Sequence, residues 1–245
     1  MSGRQPQVVR HTDPEELAET TARRLLATLT DLQKGDHVAQ ICLTGGRIAT
    51  EIYARLGELL ATSAVDSSRL ELWWGDERFL PTDHPDRNAG PTLALLARYF
   101  QLDPARTHPM PSADGVVDAA ASAATYAKEL GDTSFDLCLL GMGEDGHVAS
   151  IFANHPSGEP TTQTVIGVSE APKPPGERIS LTMDTLNRSR QVWLLVCGAE
   201  KATALCRALG GDPELPASRV AGTERTLWLV DHEAATGLPY FECWA

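Results

Sequence analysis

The chain has 245 residues, 42% of them hydrophobic, and a net charge of −12. That length supports one sizeable core, so a single α/β domain over residues 1–245 is expected, while the charge disfavours a nucleic-acid or anionic-membrane partner, because binding phosphate backbones needs a basic face and the cations here are scattered. No stretch approaches the roughly 20 apolar residues of a membrane span, Met1 to Gln7 has no signal-peptide core, and the odd set Cys42, Cys138, Cys197, Cys206 and Cys243 lacks paired spacing, which together point to a soluble protein in a reducing, cytoplasmic setting.

Asp13 to Asp31 predicts a helix, with Thr12 and Asp13 at its start, acids in the first turn and Leu17, Leu25, Leu26 and Leu29 at helical spacing. Val38 to Leu43 reads as a strand ended by Thr44-Gly45-Gly46, and Ile48 to Leu60 as a helix. Leu70 to Trp74 is a further strand, running into Gly75-Asp76-Glu77-Arg78 and then a polar loop through Asn88. Helices follow at Thr92 to Phe100 and Ala119 to Leu130, and a strand at Phe135 to Leu140. Val165 to Val168 and Ile179 to Met183 are short strands around a loop, Ala171 to Gly176, that holds three prolines. Gln191 to Cys197 is a strand, Glu200 to Leu209 a helix, and Thr226 to Val230 the last strand. Strands separated by helix-length segments imply βαβ units in a doubly wound, mainly parallel Rossmann-like sheet.

Three strand ends carry chemistry. An apolar run that enters glycines sets polar side chains at the carboxyl end of a parallel strand, where open α/β sheets bind ligands. Thr44-Gly45-Gly46-Arg47 fits two readings: a phosphate cradle of converging N–H groups, or a tight turn needing glycine for positive φ. Gly141-Met142-Gly143-Glu144-Asp145-Gly146 matches G-x-G-x-x-G, yet no continuous helix follows and no acid ends a next strand about 20 positions on, so a nicotinamide cofactor is not expected. Asp145 and His147 fit a base with its orienting carboxylate, a metal pair, or a satisfied loop. A metal would want more ligands, and His155 follows through a Pro/Gly loop with no recognised spacing, so no metal is expected. His11, His37, His84, His108 and His232 read as surface or loop residues.

Leu43-Thr44-Gly45-Gly46, Trp74-Gly75-Asp76-Glu77-Arg78 with Asn88 downstream, Leu140 to Phe152 with its Gly-Met-Gly-x-Asp-Gly-His-x-Ala-Ser string, and Arg178-Ile179-Ser180-Leu181-Thr182 together resemble the 6-phosphogluconolactonases, in order from about Val8 to Val230. The resemblance implies a metal- and cofactor-independent hydrolase that opens 6-phospho-D-glucono-1,5-lactone to 6-phosphogluconate in the oxidative pentose phosphate pathway, on a small anionic substrate, as a monomer or weak homo-oligomer. It implies a fold shared with glucosamine-6-phosphate deaminase and ribose-5-phosphate isomerase. By role, His147 would take a proton from water, Asp145 or Asp76 would orient the imidazole or sugar hydroxyls, and amides near Gly143 and Gly146 would receive the oxyanion. Phosphate would sit on the Thr44, Gly45 and Gly46 amides with Arg78, Arg178 and Lys201, and Arg47 beside them. Two departures stand out: Arg47 and Ala49 where relatives have a small Ser or Thr and a proline, and Arg87 where a serine often precedes the asparagine, which leaves the Asp76 loop's part in sugar binding open. The related deaminases follow their Asp-Gly-His with Asn-Glu. Here Ser150, Ile151 and Phe152 follow Ala149, with no glutamate before Glu159, so the alternative of a deaminase or isomerase lacks its residue. A non-catalytic sugar-phosphate-binding domain is the other alternative, and it has no need of His147.

Overall fold

The computed structural model of the chain describes residues 6–239, so Cys243 lies outside the described residues. In chain order the elements are β1 Gln7–Arg10, α1 Pro14–Leu32, β2 Ala39–Leu43, α2 Arg47–Leu60, β3 Leu70–Trp74, β4 Asp76–Arg78, α3 Ala89–Leu96, β5 Thr107–His108 and α4 Ala119–Leu130. They continue with β6 Leu137–Gly141, β7 Val165–Val168, β8 Arg178–Leu181, α5 Met183–Asn187, β9 Gln191–Val196, α6 Ala202–Leu209 and β10 Arg225–Val230.

Seven strands form a parallel sheet in the order β1-β10-β9-β6-β2-β3-β5. The chain winds from β2 outward through β3 to β5, then returns to β6 beside β2 and winds the other way through β9 to β10. The strand order therefore reverses between β2 and β6, and a doubly wound sheet opens its ligand crevice beyond the carboxyl ends at such a point.

Alternation along the strands divides the core in two, as a sheet covered on both faces requires. Cys42, Trp73, Cys138, Leu140, Val192, Leu194, Trp228 and Val230 face one cluster, which α4 and α6 complete with Tyr126, Leu130 and Leu205. Ile41, Leu43, Trp74, Leu137, Leu139, Trp193, Leu195, Leu227 and Leu229 face the other, closed by α1 and α2 through Leu17, Leu25, Ile52 and Tyr53. Asp13 and Asp118 cap α1 and α4 by accepting the N–H groups of Glu16 and Ala121.

Several boundaries differ from the sequence expectation for identifiable reasons. The expected Thr92–Phe100 helix starts three residues earlier, at Ala89, because the Glu77 carboxylate, remote in sequence, accepts the N–H groups of Asn88 and Ala89. The strand expected through Met183 stops at Leu181, where Thr182 caps α5 by accepting Thr185 N–H. Both short strands around the proline loop lie outside the main sheet: β7 and β8 are antiparallel and join β4 in a second sheet, ordered β4-β8-β7. The strands β1, β4 and β5 were not expected, being two to four residues long and without a period of their own. Two histidines read as surface residues are structural instead. His11 is buried and its Nδ1 bonds the Val230 carbonyl, and His108 stacks on Trp73 with ring centres 3.8 Å apart.

Candidate active site

The loop after β2 carries the first group. Tyr53, reaching up from α2, accepts the Thr44 N–H at 3.0 Å and donates its hydroxyl to the Thr44 carbonyl at 2.9 Å, satisfying both backbone groups of one turn residue. Gly46 stands at φ 104° as N-cap of α2, and Gly45 is glycine for another reason: a Cβ there would lie 1.8 Å from Asn88 Oδ1. The positive φ at Gly46 and the close approach of Asn88 at Gly45 give both glycines a structural reason of the tight-turn kind. The first turn of α2 holds no acid, and Arg47, its first residue, is exposed.

The turn from β3 to β4 carries the second group. Asp76 is buried; its Oδ2 accepts the Ser150 hydroxyl at 2.7 Å, and its backbone carbonyl accepts Asn88 Nδ2 at 2.9 Å. Asn88 therefore spans Asp76 and Gly45 and locks the β2 and β3 loops together. Glu77 is fully buried and accepts N–H from Arg78, Asn88 and Ala89. Burial raises its carboxyl above the usual range, against the pull of those bonds and of Arg87. Arg87 points inward, with Nε 3.6 Å from Glu77 Oε2 and Nη1 and Nη2 donating to the carbonyls of Leu80 and Met110. The Arg87 departure is thereby a tether of the loop, not a group facing the crevice. Arg78 sits directly across from Arg178 in the β4–β8 ladder, donates Nη1 to the Asp86 carbonyl, and has a buried Nε without a hydrogen-bond partner among the described residues.

The loop after β6 carries the third group. His147 Nδ1 lies 2.6 Å from Asp145 Oδ1, its ring packs on Phe152 at 4.7 Å, and its side chain is 17% exposed. A carboxylate only accepts, so whenever the ring is neutral Nδ1 carries the proton and Nε2 the lone pair. Burial pushes the Asp145 carboxyl up, but the hydrogen bond from His147 and the charges of His147 and Lys173 outweigh it and hold the group well below the usual carboxylate range. Gly143 is glycine because a Cβ would lie 2.0 Å from His147 Nδ1, and Gly146 because its φ is 78°. Of the amides expected near Gly143 and Gly146 to receive the oxyanion, those two N–H groups are themselves committed inside the turn, Gly143 to the His147 carbonyl and Gly146 to the Gly143 carbonyl. Ala149 at φ 49° turns the chain so that Ser150 reaches Asp76.

Arg178 is also placed differently from expectation. Only 4% exposed, it donates Nε to the Pro175 carbonyl and Nη2 to those of Lys173 and Pro174, while Nη1 lies 3.5 Å from Ser150 Oγ. Burial lowers its basicity, opposed by Asp76 and reinforced by Arg78. Lys201 ends the short turn Ala199–Lys201 beyond β9, on the same edge of the sheet; its N–H donates to the Gly198 carbonyl, and its side chain makes no hydrogen bond or ion pair to the described residues. His155 turns away, with Nδ1 at Ser157 and Nε2 at the Ser169 carbonyl. Sequence reasoning missed Tyr53, whose phenol reads as core, and Lys173, whose Nζ lies 3.5 Å from Asp145 Oδ1 and 3.1 Å from Glu144 Oε1. A lone lysine in a proline loop carries no spacing signal.

Residues 12–228 match the family model described as glucosamine-6-phosphate isomerases/6-phosphogluconolactonase. A 6-phosphogluconolactonase of Streptomyces coelicolor is 46% identical over 96% of this chain and 95% of its own. One from Mycobacterium leprae is 37% identical over 93% of this chain and 96% of its own. The solved structure of a 6-phosphogluconolactonase from Trypanosoma cruzi superposes with a TM-score of 0.85 at 26% identity, covering 98% of this chain and 99% of that one.

Proposed function

The chain belongs to the glucosamine-6-phosphate isomerase/6-phosphogluconolactonase family, and from that premise we propose that it hydrolyses 6-phospho-D-glucono-1,5-lactone to 6-phospho-D-gluconate in the pentose phosphate pathway. The observation that carries the reading is the 2.6 Å contact between His147 Nδ1 and Asp145 Oδ1 at the point where the strand order reverses. With Nδ1 protonated toward the carboxylate, Nε2 takes a proton from water as its oxygen bonds to the lactone carbonyl carbon. Asp145 stabilises the imidazolium so formed. Collapse of the tetrahedral intermediate breaks the bond from that carbon to the ring oxygen, which leaves as the C5 hydroxyl and takes the proton back from the imidazolium. The acid product then ionises. The reading needs no metal or cofactor.

Phosphate is assigned to the N-terminal turn of α2 with the Gly45 and Gly46 amides, the Thr44 N–H being taken by Tyr53, together with Arg78 and Arg178, and Arg47 and Lys201 from the rim. Two arginines opposite one another on neighbouring strands repel, and a bound dianion relieves the repulsion. The same cations reverse the field of an acidic protein locally and draw in the substrate. Asp76, held by Ser150 and Asn88, is assigned to the sugar hydroxyls. A deaminase route is disfavoured because Ser150, Ile151 and Phe152, where such a route needs a glutamate, are buried side chains without a carboxylate, and Glu159 is exposed. The four described cysteines are free, in keeping with a cytoplasmic setting, and no described helix is long and apolar enough to cross a membrane.

The test is hydrolysis of freshly generated 6-phosphogluconolactone at slightly acidic pH, where spontaneous opening is slow, with EDTA present and unphosphorylated gluconolactone as control. Acceleration confined to the phosphorylated lactone is expected. Folded protein that accelerates neither lactone overturns the reading in favour of the deaminase branch or a binding domain.

A further inference from the structure

The proline loop between β7 and β8 does more than connect two strands. Ala171 N–H closes it onto the Gly176 carbonyl, and the nearly buried Arg178 donates to three of its carbonyls, those of Lys173, Pro174 and Pro175. Pro172, Pro174 and Pro175 restrict φ, so the backbone of Lys173 is held with little freedom left to lose. From that anchored backbone the side chain crosses to the β6 loop, where Nζ meets Glu144 Oε1 at 3.1 Å and Asp145 Oδ1 at 3.5 Å. Asp145 Oδ1 is the same oxygen that receives His147 Nδ1 at 2.6 Å. The contacts close a ring: His147 packs on Phe152, Arg178 stands 5.6 Å over the Phe152 ring, Arg178 holds the Lys173 loop, and Lys173 returns to Asp145.

We propose that Lys173 is a positioning residue of the Asp145–His147 pair: its ammonium fixes the carboxylate against the imidazole and keeps the proton affinity of His147 down, extending activity to lower pH. This rests on the lactonase reading above and deepens it. An isolated exposed ion pair contributes little, and Lys173 with Glu144 alone would be such a pair. The backbone anchoring by Arg178 and the shared Asp145 oxygen separate it from that case. The sign follows from electrostatics. A cation beside Asp145 partly neutralises the carboxylate and repels a second positive charge on the imidazole, so it disfavours imidazolium. The charged groups around the pair are Glu144 on its own loop, Lys173 and Arg178 from the β7–β8 hairpin, His155 behind Phe152 at 5.9 Å, and Asp76 beyond Ser150. Of these, Lys173 is the cation in contact with Asp145 besides His147 itself.

The experiment compares wild type, Lys173→Met and Lys173→Arg in the full chain, following kcat/KM for the lactone against pH with spontaneous opening subtracted. In parallel, NMR titration follows the His147 ring, its resonance identified by its loss in His147→Gln. Lys173→Met is expected to move the acid limb and the His147 titration together to higher pH by about half a unit, a roughly threefold loss on the limb with the plateau little changed. Lys173→Arg is expected to restore both. An unmoved limb and an unmoved His147 titration overturn the proposal, as does a pH-independent rise in KM, which would make Lys173 a substrate ligand instead. Wild type that fails to accelerate hydrolysis sinks the lactonase reading, while the NMR titration still decides whether Lys173 governs His147.

Discussion

A single imidazole carries the proposed chemistry, and its neighbours explain why it suffices. His147 is held from below by Phe152 and from the side by Asp145, with Gly143 clearing the space that the ring occupies. His147→Ala is expected to lower turnover at least about a hundredfold while affinity for 6-phosphogluconate stays within several fold, because a general base adds little ground-state binding. Equal loss of affinity would reassign His147 to binding. Arg78→Ala should do the reverse, weakening 6-phosphogluconate about tenfold or more by calorimetry, since an arginine to phosphate is a charge-assisted contact; unchanged affinity removes it from the anion site. Asp145, depressed by its hydrogen bond from His147 and by the charge of Lys173, favours the folded state above the ordinary carboxylate range and loses that contribution as pH falls. At the scale of single residues the candidate groups were legible: His147, Asp145, Asp76 and Arg78 stand out as polar groups just past apolar runs. The state of individual N–H groups was not. Gly143 and Gly146 amides and most of the Arg178 guanidinium are bonded inside the fold by partners that no spacing reveals.

Elements are coupled through buried polar side chains. Glu77 caps α3 from β4, and Arg87 ties the intervening loop to Glu77, Leu80 and Met110, so the strand that presents Asp76 and Arg78 is rigid through its own return loop. Removing one partner of a buried pair leaves an uncompensated charge. Arg87→Met is therefore expected to lower unfolding free energy by about 3 kcal/mol at neutral pH, read from urea midpoints. The pH dependence has a definite sign. Burial raises the Glu77 carboxyl in the folded state, so folded protein binds the proton more readily and ionised Glu77 costs stability as pH rises past the ordinary carboxylate range. Without Arg87 that cost grows, so the loss should be larger at pH 7 than near pH 4.5. Equal losses at both would show that the tether acts by packing alone. The shifted start of α3 has the same origin, because its cap is a tertiary contact and leaves no local signature.

Across the whole molecule one sheet serves two cores. Neighbouring Trp73 and Trp74 face opposite clusters, as do Trp193 and Trp228, so no face of the sheet can open without disturbing the strands that line the other. A single domain should then unfold in one cooperative step: tryptophan fluorescence and far-UV circular dichroism are expected to give coincident urea transitions, and separated midpoints would divide the chain into two units. The doubly wound architecture was readable because buried parallel strands are continuous apolar runs and the helices between them are periodic. The second sheet was not: β4 has three residues, and β7 and β8 look like any other short strands until their antiparallel partners are known.

The sequence by itself determined the fold class, the chain order of seven of the ten described strands and the three polar strand ends, because each of these is written in local periodicity and in glycines at chain reversals. Tertiary structure decided which strand ends meet and which donors are already bonded within the fold. Those are contacts between residues tens of positions apart, as with Asn88 against Gly45, Ser150 against Asp76 and Lys173 against Asp145. Their partners are chosen by the path of the folded backbone, and local composition holds no trace of them.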